Sequence, residues 1–165
     1  MAALALAGAD RVVLIGSTGS LRPEVRPGGL LIPDDYATVT SVPTVHEREI
    51  THVCPGFSES MRRALAALVP EARDGGVYVQ TPGPRLETRA EVRALATCAD
   101  VVGMTCASEA TLANELGLKV AALCTVENYA HGLDGCSVSY DEIVEAARRN
   151  RDRMATIIAR ITESV

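Results

Sequence analysis

The stretch Lys119-Val120-Ala121-Ala122-Leu123-Cys124-Thr125-Val126 reads as a strand whose apolar run is continuous rather than alternating. A strand with no polar face must be covered on both sides, which is the situation inside an α/β sheet. A second run, Arg11-Val12-Val13-Leu14-Ile15, has the same character and ends in the small-residue cluster Gly16-Ser17-Thr18-Gly19-Ser20, read as a turn. Working outward, Leu30 to Ile32, Gly76 to Gln80 and Val101 to Met104 read as further strands. Ser58 to Val69, with Met61, Leu65 and Leu68 at helical spacing before Pro70, reads as a helix. Thr88 to Thr97 reads as another, opened by the capping-box pair Thr88 and Glu91. Ala107 to Leu116 is a third, closed by Gly117, and a second capping box, Ser139 and Glu142, opens a long C-terminal helix. The first residues, from Met1, read as a short apolar helical segment. This alternation predicts one α/β domain over residues 1–165.

Composition narrows the function classes. The 165 residues are 47% hydrophobic and 22% charged, enough for a real core in one domain. A net charge of −5 and a pI near 5.2 argue against nucleic acid, whose binders carry a basic stripe. The basic stretch Arg148 to Arg153 is interrupted by Asp152 and reads as a solvated helix face. Cys54, Cys98, Cys106, Cys124 and Cys136 are odd in number and lack the short spacing of a zinc site, so reduced thiols and no metal are expected. Met1 to Gly8 lacks a basic leader region and no apolar run is long enough for a membrane span. A soluble, cytoplasmic protein is the expectation.

Four segments place polar groups at the carboxyl ends of strands, where α/β folds put ligands. They are Gly16 to Ser20; the stiff loop Thr81-Pro82-Gly83-Pro84-Arg85-Leu86-Glu87-Thr88; Gly103-Met104-Thr105-Cys106-Ala107-Ser108-Glu109 at a helix start; and Glu127-Asn128-Tyr129-Ala130-His131-Gly132. Each also has an ordinary reading: a turn, a surface ion pair of Arg85 and Glu87, a helix cap by Thr105 or Ser108, and an Asn-containing loop. Unpaired N–H groups at the helix start would suit a phosphate or hydroxyl. An Asn at a strand end donates and accepts at once, which suits a heterocycle edge.

Together, in this order, the segments resemble the trimeric purine nucleoside and methylthioadenosine (methylthioinosine) phosphorylase family. Gly19-Ser20-Leu21-Arg22 with Pro27-Gly28, Gly83-Pro84-Arg85-Leu86-Glu87-Thr88, Asp100-Val101-Val102-Gly103-Met104-Thr105 and Glu127-Asn128-Tyr129-Ala130 are similar to its four motifs. The resemblance implies phosphorolysis of a 6-oxopurine nucleoside (inosine, guanosine or methylthioinosine) to free base and sugar 1-phosphate. Inorganic phosphate is then the co-substrate, with no other cofactor and no metal. It implies that Glu87 accepts the purine N1–H and Asn128 holds the edge near N7 and O6. Met104 and Leu86 would line the sugar and base, Thr105 and Ser17 would meet phosphate, and Thr18 would lie against phosphate and sugar.

The departures are Leu86 for a usual Phe, Glu127 for a Thr, and Ser108 for a Pro. The histidine that many members direct at the sugar 5′ end is matched only weakly, by His46 or His52. The resemblance further implies a three-layer α/β/α nucleoside phosphorylase-like fold with a mixed, largely parallel central sheet, shortened by roughly its first third, the part with a Gly-rich phosphate loop and an Arg-His-Gly segment. That keeps two alternatives open, a nucleosidase using water and a non-catalytic purine-binding remnant. A homo-oligomer, trimer or hexamer, is implied as well.

Overall fold

The computed structural model describes the whole 165-residue chain except Glu47, Glu49, Cys136, Val165 and the side chain of Asp134. The fifth cysteine of the sequence reading, Cys136, therefore lies outside the described residues. The other four are free thiols.

The chain runs through α1 (Ala2–Leu6), β1 (Arg11–Ser20), β2 (Leu30–Ile32), β3 (Asp35–Thr38), α2 (Glu59–Leu68), β4 (Arg73–Asp74) and β5 (Val77–Gln80). It continues through α3 (Arg89–Leu95), β6 (Val101–Gly103), α4 (Cys106–Glu115), β7 (Lys119–Tyr129), a single 3-10 turn (Leu133–Gly135) and α5 (Tyr140–Ser164). The strands form one seven-stranded sheet in the order β3-β5-β6-β1-β7-β2-β4. Four of its pairings are parallel (β3/β5, β5/β6, β1/β7, β2/β4) and two antiparallel (β1/β6, β2/β7). The mixed, largely parallel sheet expected from the sequence is what forms.

The continuous apolar run of β7 is explained by what covers it. Val120, Ala122, Cys124 and Val126 share a core with Leu14 of β1 and with Cys106, Ala107, Ala110 and Ala113 of α4. Ala121 and Leu123 join a separate core with Met61 and Leu65 of α2 and with Ile157 and Ile161 of α5. Each helix contributes apolar residues four apart, one stripe toward the sheet. A third cluster packs Val92 and Leu95 of α3 on Val79, Val102 and Leu21. Helices thus lie on both faces, giving the three layers.

Both capping boxes are formed. The Thr88 hydroxyl accepts from Glu91 N at 3.2 Å and Glu91 Oε2 accepts from Thr88 N at 2.7 Å. Ser139 and Glu142 exchange the same bonds at 3.3 and 3.0 Å.

Two readings of the sequence need correction. Gly16 to Ser20 is not a turn but the second half of β1, and Glu127 to Tyr129 is strand rather than loop. These small and polar residues carry no strand signal of their own. The parallel ladder that pairs Gly16 with Cys124 and runs on to Ser20 with Tyr129 overrides their local preference. The short strands β3 and β4 were also not legible; β4 has only two residues, both exposed.

Gly103, at the end of β6, packs tightly against Tyr78 of the neighbouring strand β5. A Cβ there would lie 2.5 Å from the Tyr78 hydroxyl oxygen. Gly103→Ala is therefore expected to lower stability by about 1–3 kcal/mol, the usual cost of overpacking. A urea melt should show a lower midpoint at constant slope; an unchanged midpoint would contradict the tight contact.

Candidate active site

Beyond Thr18, β7 holds one residue more than β1. Thr18 pairs with Val126 and Gly19 with Asn128, so Glu127 is the extra residue of a β-bulge. In an unbroken ladder, side chains two apart share a face, and Asn128 would follow Val126 toward α4. The bulge turns it instead to the side of Gly19. There its Nδ2 lies 3.4 Å from the point a Gly19 Cβ would occupy, near Val102 and Ala130. Bulges re-aim side chains in this way next to functional sites.

Asn128 faces a cavity of about 320 Å³. Its walls contain Ser17, Thr18 and Gly19 from β1, Pro84, Leu86 and Glu87 from the 81–88 loop, and Val102 to Thr105 at the β6–α4 junction. Asn128, Ala130 and His131 from the end of β7 and Val138, Tyr140 and Ile143 at the start of α5 complete it. All seven residues singled out in the sequence, Ser17, Thr18, Leu86, Glu87, Met104, Thr105 and Asn128, are brought together here.

Their hydrogen bonds show which groups are already engaged. Glu87 is only 9% exposed, and its Oε1 accepts from the Thr81 hydroxyl at 2.6 Å. Thr18 donates to the Thr125 carbonyl at 2.8 Å, and Asn128 Nδ2 donates to the Tyr129 carbonyl at 2.8 Å. Met104 is pressed against Gly83, where a Cβ would sit 2.5 Å from its sulfur; with φ +57°, glycine suits this point twice over.

The start of α4 differs from the expectation. Three of the N–H groups there already have side-chain partners. Tyr78, 1% exposed, accepts from Thr105 N and Cys106 N at 3.1 and 3.2 Å, and Gln80 Oε1 accepts from Ser108 N at 2.9 Å. Burial raises the Tyr78 pKa, so it serves as a neutral phenol. Neither Thr105 nor Ser108 caps the helix in the ordinary sense; the Thr105 side chain makes no cap hydrogen bond. Thr105 lines the cavity, with its hydroxyl 4.0 Å from Cys106 Sγ.

Other candidates fall elsewhere. Arg85 pairs with Glu91, not Glu87, through bonds of 2.7 and 2.8 Å. Glu127 is 7% exposed but does not line the cavity; its Oε2 accepts from Asn150 Nδ2 of α5 at 2.9 Å. His52 lines a separate cavity with Tyr36 and Glu115, and His46 also lies outside the site. Sequence reasoning missed Val138, Tyr140 and Ile143. The Ser139–Glu142 capping box marked the helix start, but only the fold brings that start to the cavity. It also missed Tyr78 and Gln80, polar residues on a buried strand, a pattern that signals a buried hydrogen-bonded network, and it named Thr81 only as the start of the loop, without its bond to Glu87.

The protein-family model described as "Phosphorylase superfamily" matches residues 1–163. A probable 6-oxopurine nucleoside phosphorylase of Archaeoglobus fulgidus is 43% identical, over 99% of this chain and 69% of that protein. A probable S-methyl-5′-thioinosine phosphorylase of Methanopyrus kandleri is 33% identical, over 96% of this chain and 66% of that one. Methylthioadenosine phosphorylase of Schistosoma mansoni, solved with adenine, superposes with a TM-score of 0.81 at 20% identity, covering 96% of this chain and 66% of its own; at that identity it speaks for the fold. The chain belongs to the phosphorylase superfamily. It spans about two thirds of the length of these relatives.

The 81–88 loop that carries Glu87 is strapped to α3 by the Arg85–Glu91 pair. Hydrogen bonds from Arg85 and from Thr88 N lower the Glu91 pKa from 4.5 to about 2. A depressed carboxylate stabilises above its unfolded value and loses that contribution as pH falls through its folded one. Protection of the Thr88 amide against hydrogen exchange should thus hold above about pH 4.5 and decay toward about pH 2. Protection independent of pH across that window would contradict the strap. The pair is exposed, so high salt should weaken it.

Proposed function

We propose that this chain forms one nucleoside phosphorylase-like domain carrying the base- and ribose-binding part of a purine nucleoside phosphorylase, a pentosyltransferase for 6-oxopurine nucleosides. The observation that carries the reading is the meeting of Glu87 and Asn128 in one cavity with Met104 and Thr105. The names of the relatives support the same class.

In this reaction phosphate attacks C1′ of the sugar, the bond to the purine breaks, and negative charge develops on the leaving base. Fixed donors and acceptors at the base accelerate it because they need no reorganisation as the charge forms. Thr81 holds Oε1 of Glu87, leaving Oε2 to accept the N1–H of hypoxanthine or guanine. Adenine presents a lone pair at N1 and would leave a buried carboxylate unpaired, a cost of about 1–3 kcal/mol or more. Asn128 bonds the edge near N7 and O6, where the charge collects. Met104 and Leu86 pack on sugar and base, Thr18 lies beside the sugar, and the hydroxyls of Thr105 and Ser17 meet phosphate. Inorganic phosphate is the co-substrate and no other cofactor is used. A homo-oligomer, trimer or hexamer, in the cytoplasm is part of this reading. Among the described residues no helix is long and apolar enough to cross a membrane.

One observation favours hydrolysis as a second reading. Among the described residues that line the cavity there is no Lys or Arg, and the N–H groups of Thr105, Cys106 and Ser108 are already engaged. A phosphorylase needs cationic groups from beyond these walls, whereas a nucleosidase does not.

Base release from inosine, guanosine, methylthioinosine and adenosine, with and without phosphate, separates the readings. Phosphate-dependent hypoxanthine release with a sugar 1-phosphate product is expected. Phosphate-independent release would establish the nucleosidase, and no release from any substrate would leave a purine-binding module. Glu87→Ala and Asn128→Ala should each lower turnover of inosine by about a hundredfold or more, the scale of losing a transition-state hydrogen bond; rates equal to the parent would remove them from the site.

A further inference from the structure

We propose that Glu127 is a positioning residue for Asn128, acting through its hydrogen bond to Asn150, which latches the β7 bulge to α5. This rests on the reading of Asn128 as the residue that holds the purine edge. Neither Glu127 nor Asn150 lines the cavity.

Three observations converge. Glu127 is the unpaired residue of the bulge, and the bulge alone sets which face Asn128 occupies. Straightening the bulge with Glu127 kept in the ladder would pair Gly19 with Glu127 and return Asn128 to the α4 side, because a one-residue shift flips every side chain beyond it. Something must therefore hold the bulge open. Glu127 is also a nearly buried carboxylate outside the reaction, at 7% exposure, and such a group is costly to bury unless a donor meets it. The donor is Asn150 Nδ2, at 2.9 Å, on α5. Finally, α5 is the helix whose start, at Tyr140 and Ile143, closes the cavity. One hydrogen bond thus ties the bulge beside Asn128 to the helix whose start lines the same cavity. In the motif that this segment resembles, the position is Thr; the longer Glu has the reach to meet α5.

The test compares the parent with Glu127→Gln, Asn150→Asp, Asn150→Ala, Asn128→Ala and the Asn128→Ala/Asn150→Asp double variant. Hypoxanthine affinity is read by calorimetry, and amide exchange over residues 126–130 without ligand. Glu127→Gln keeps an acceptor for Asn150 and should bind hypoxanthine within about twofold of the parent. Asn150→Asp sets two carboxylates together and should weaken binding about tenfold, with faster exchange at Asn128 and Tyr129. Asn150→Ala, which leaves the carboxylate unpaired without adding charge, should shift both readouts in the same direction if the aspartate variant fails to fold. In the Asn128→Ala background the Asn150→Asp change should cost less than about twofold, since its effect passes through Asn128.

Full additivity in that background, or parent-like affinity and exchange in both Asn150 variants, would overturn the proposal. If the parent itself does not bind hypoxanthine, the base-site reading fails. The exchange measurement, which needs no ligand, then still decides the latch: unchanged exchange at Asn128 and Tyr129 refutes it.

Discussion

The parallel ladder between β1 and β7, with its bulge at Glu127, is the constraint on which the rest of the structure depends. It joins the two longest strands from Arg11 with Lys119 to Ser20 with Tyr129. In its lower part β7 is covered by α4 on one side and by α2 and α5 on the other, whereas β1, read from its sequence as buried on both faces, is buried fully only on the α4 side and leaves Ile15 43% exposed. Its upper part is made of small and polar residues and forms two walls of the cavity. The same backbone bonding that stabilises the centre of the molecule therefore sets the position of Ser17, Thr18 and Asn128. Sites placed on strands in this way are more rigid than sites on loops.

A second layer of order comes from β5. Tyr78 and Gln80 point to the same face, two residues apart, and take up the N–H groups at the start of α4. Thr81, next along, holds Glu87. Each of these groups is buried or nearly so, and each has a partner, which makes the network stabilising rather than a liability. Tyr78 and Gln80 take up the N–H groups of Thr105, Cys106 and Ser108, and the cavity is lined by hydroxyl residues, the Glu87 carboxylate, the Asn128 amide and the His131 imidazole.

Much of this was legible in the sequence. Continuous apolar runs announced buried strands, four-residue apolar spacing announced α2 and α5, and the Thr88/Glu91 and Ser139/Glu142 pairs marked two helix starts. The residues Ser17, Thr18, Leu86, Glu87, Met104, Thr105 and Asn128 could be named because short motifs placed them at strand ends. What escaped reading shares one cause, long-range pairing. Gly16 to Ser20 has the composition of a turn, and only a partner more than a hundred residues away makes it a strand. The bulge at Glu127 is a difference in count between two strands, which neither strand contains alone. Tyr140 and Ile143 reach the site because α5 packs where it does, and Asn150 is tied to Glu127 across 23 residues of sequence.

The central claim is that the cavity holds a 6-oxopurine through Glu87. Calorimetric titration of the intact protein with hypoxanthine and with adenine, under identical conditions, tests it most directly. The account predicts that hypoxanthine binds at least about tenfold more tightly, because only its N1 carries the proton that the buried carboxylate accepts. Adenine binding as tightly as hypoxanthine, or more so, would contradict it.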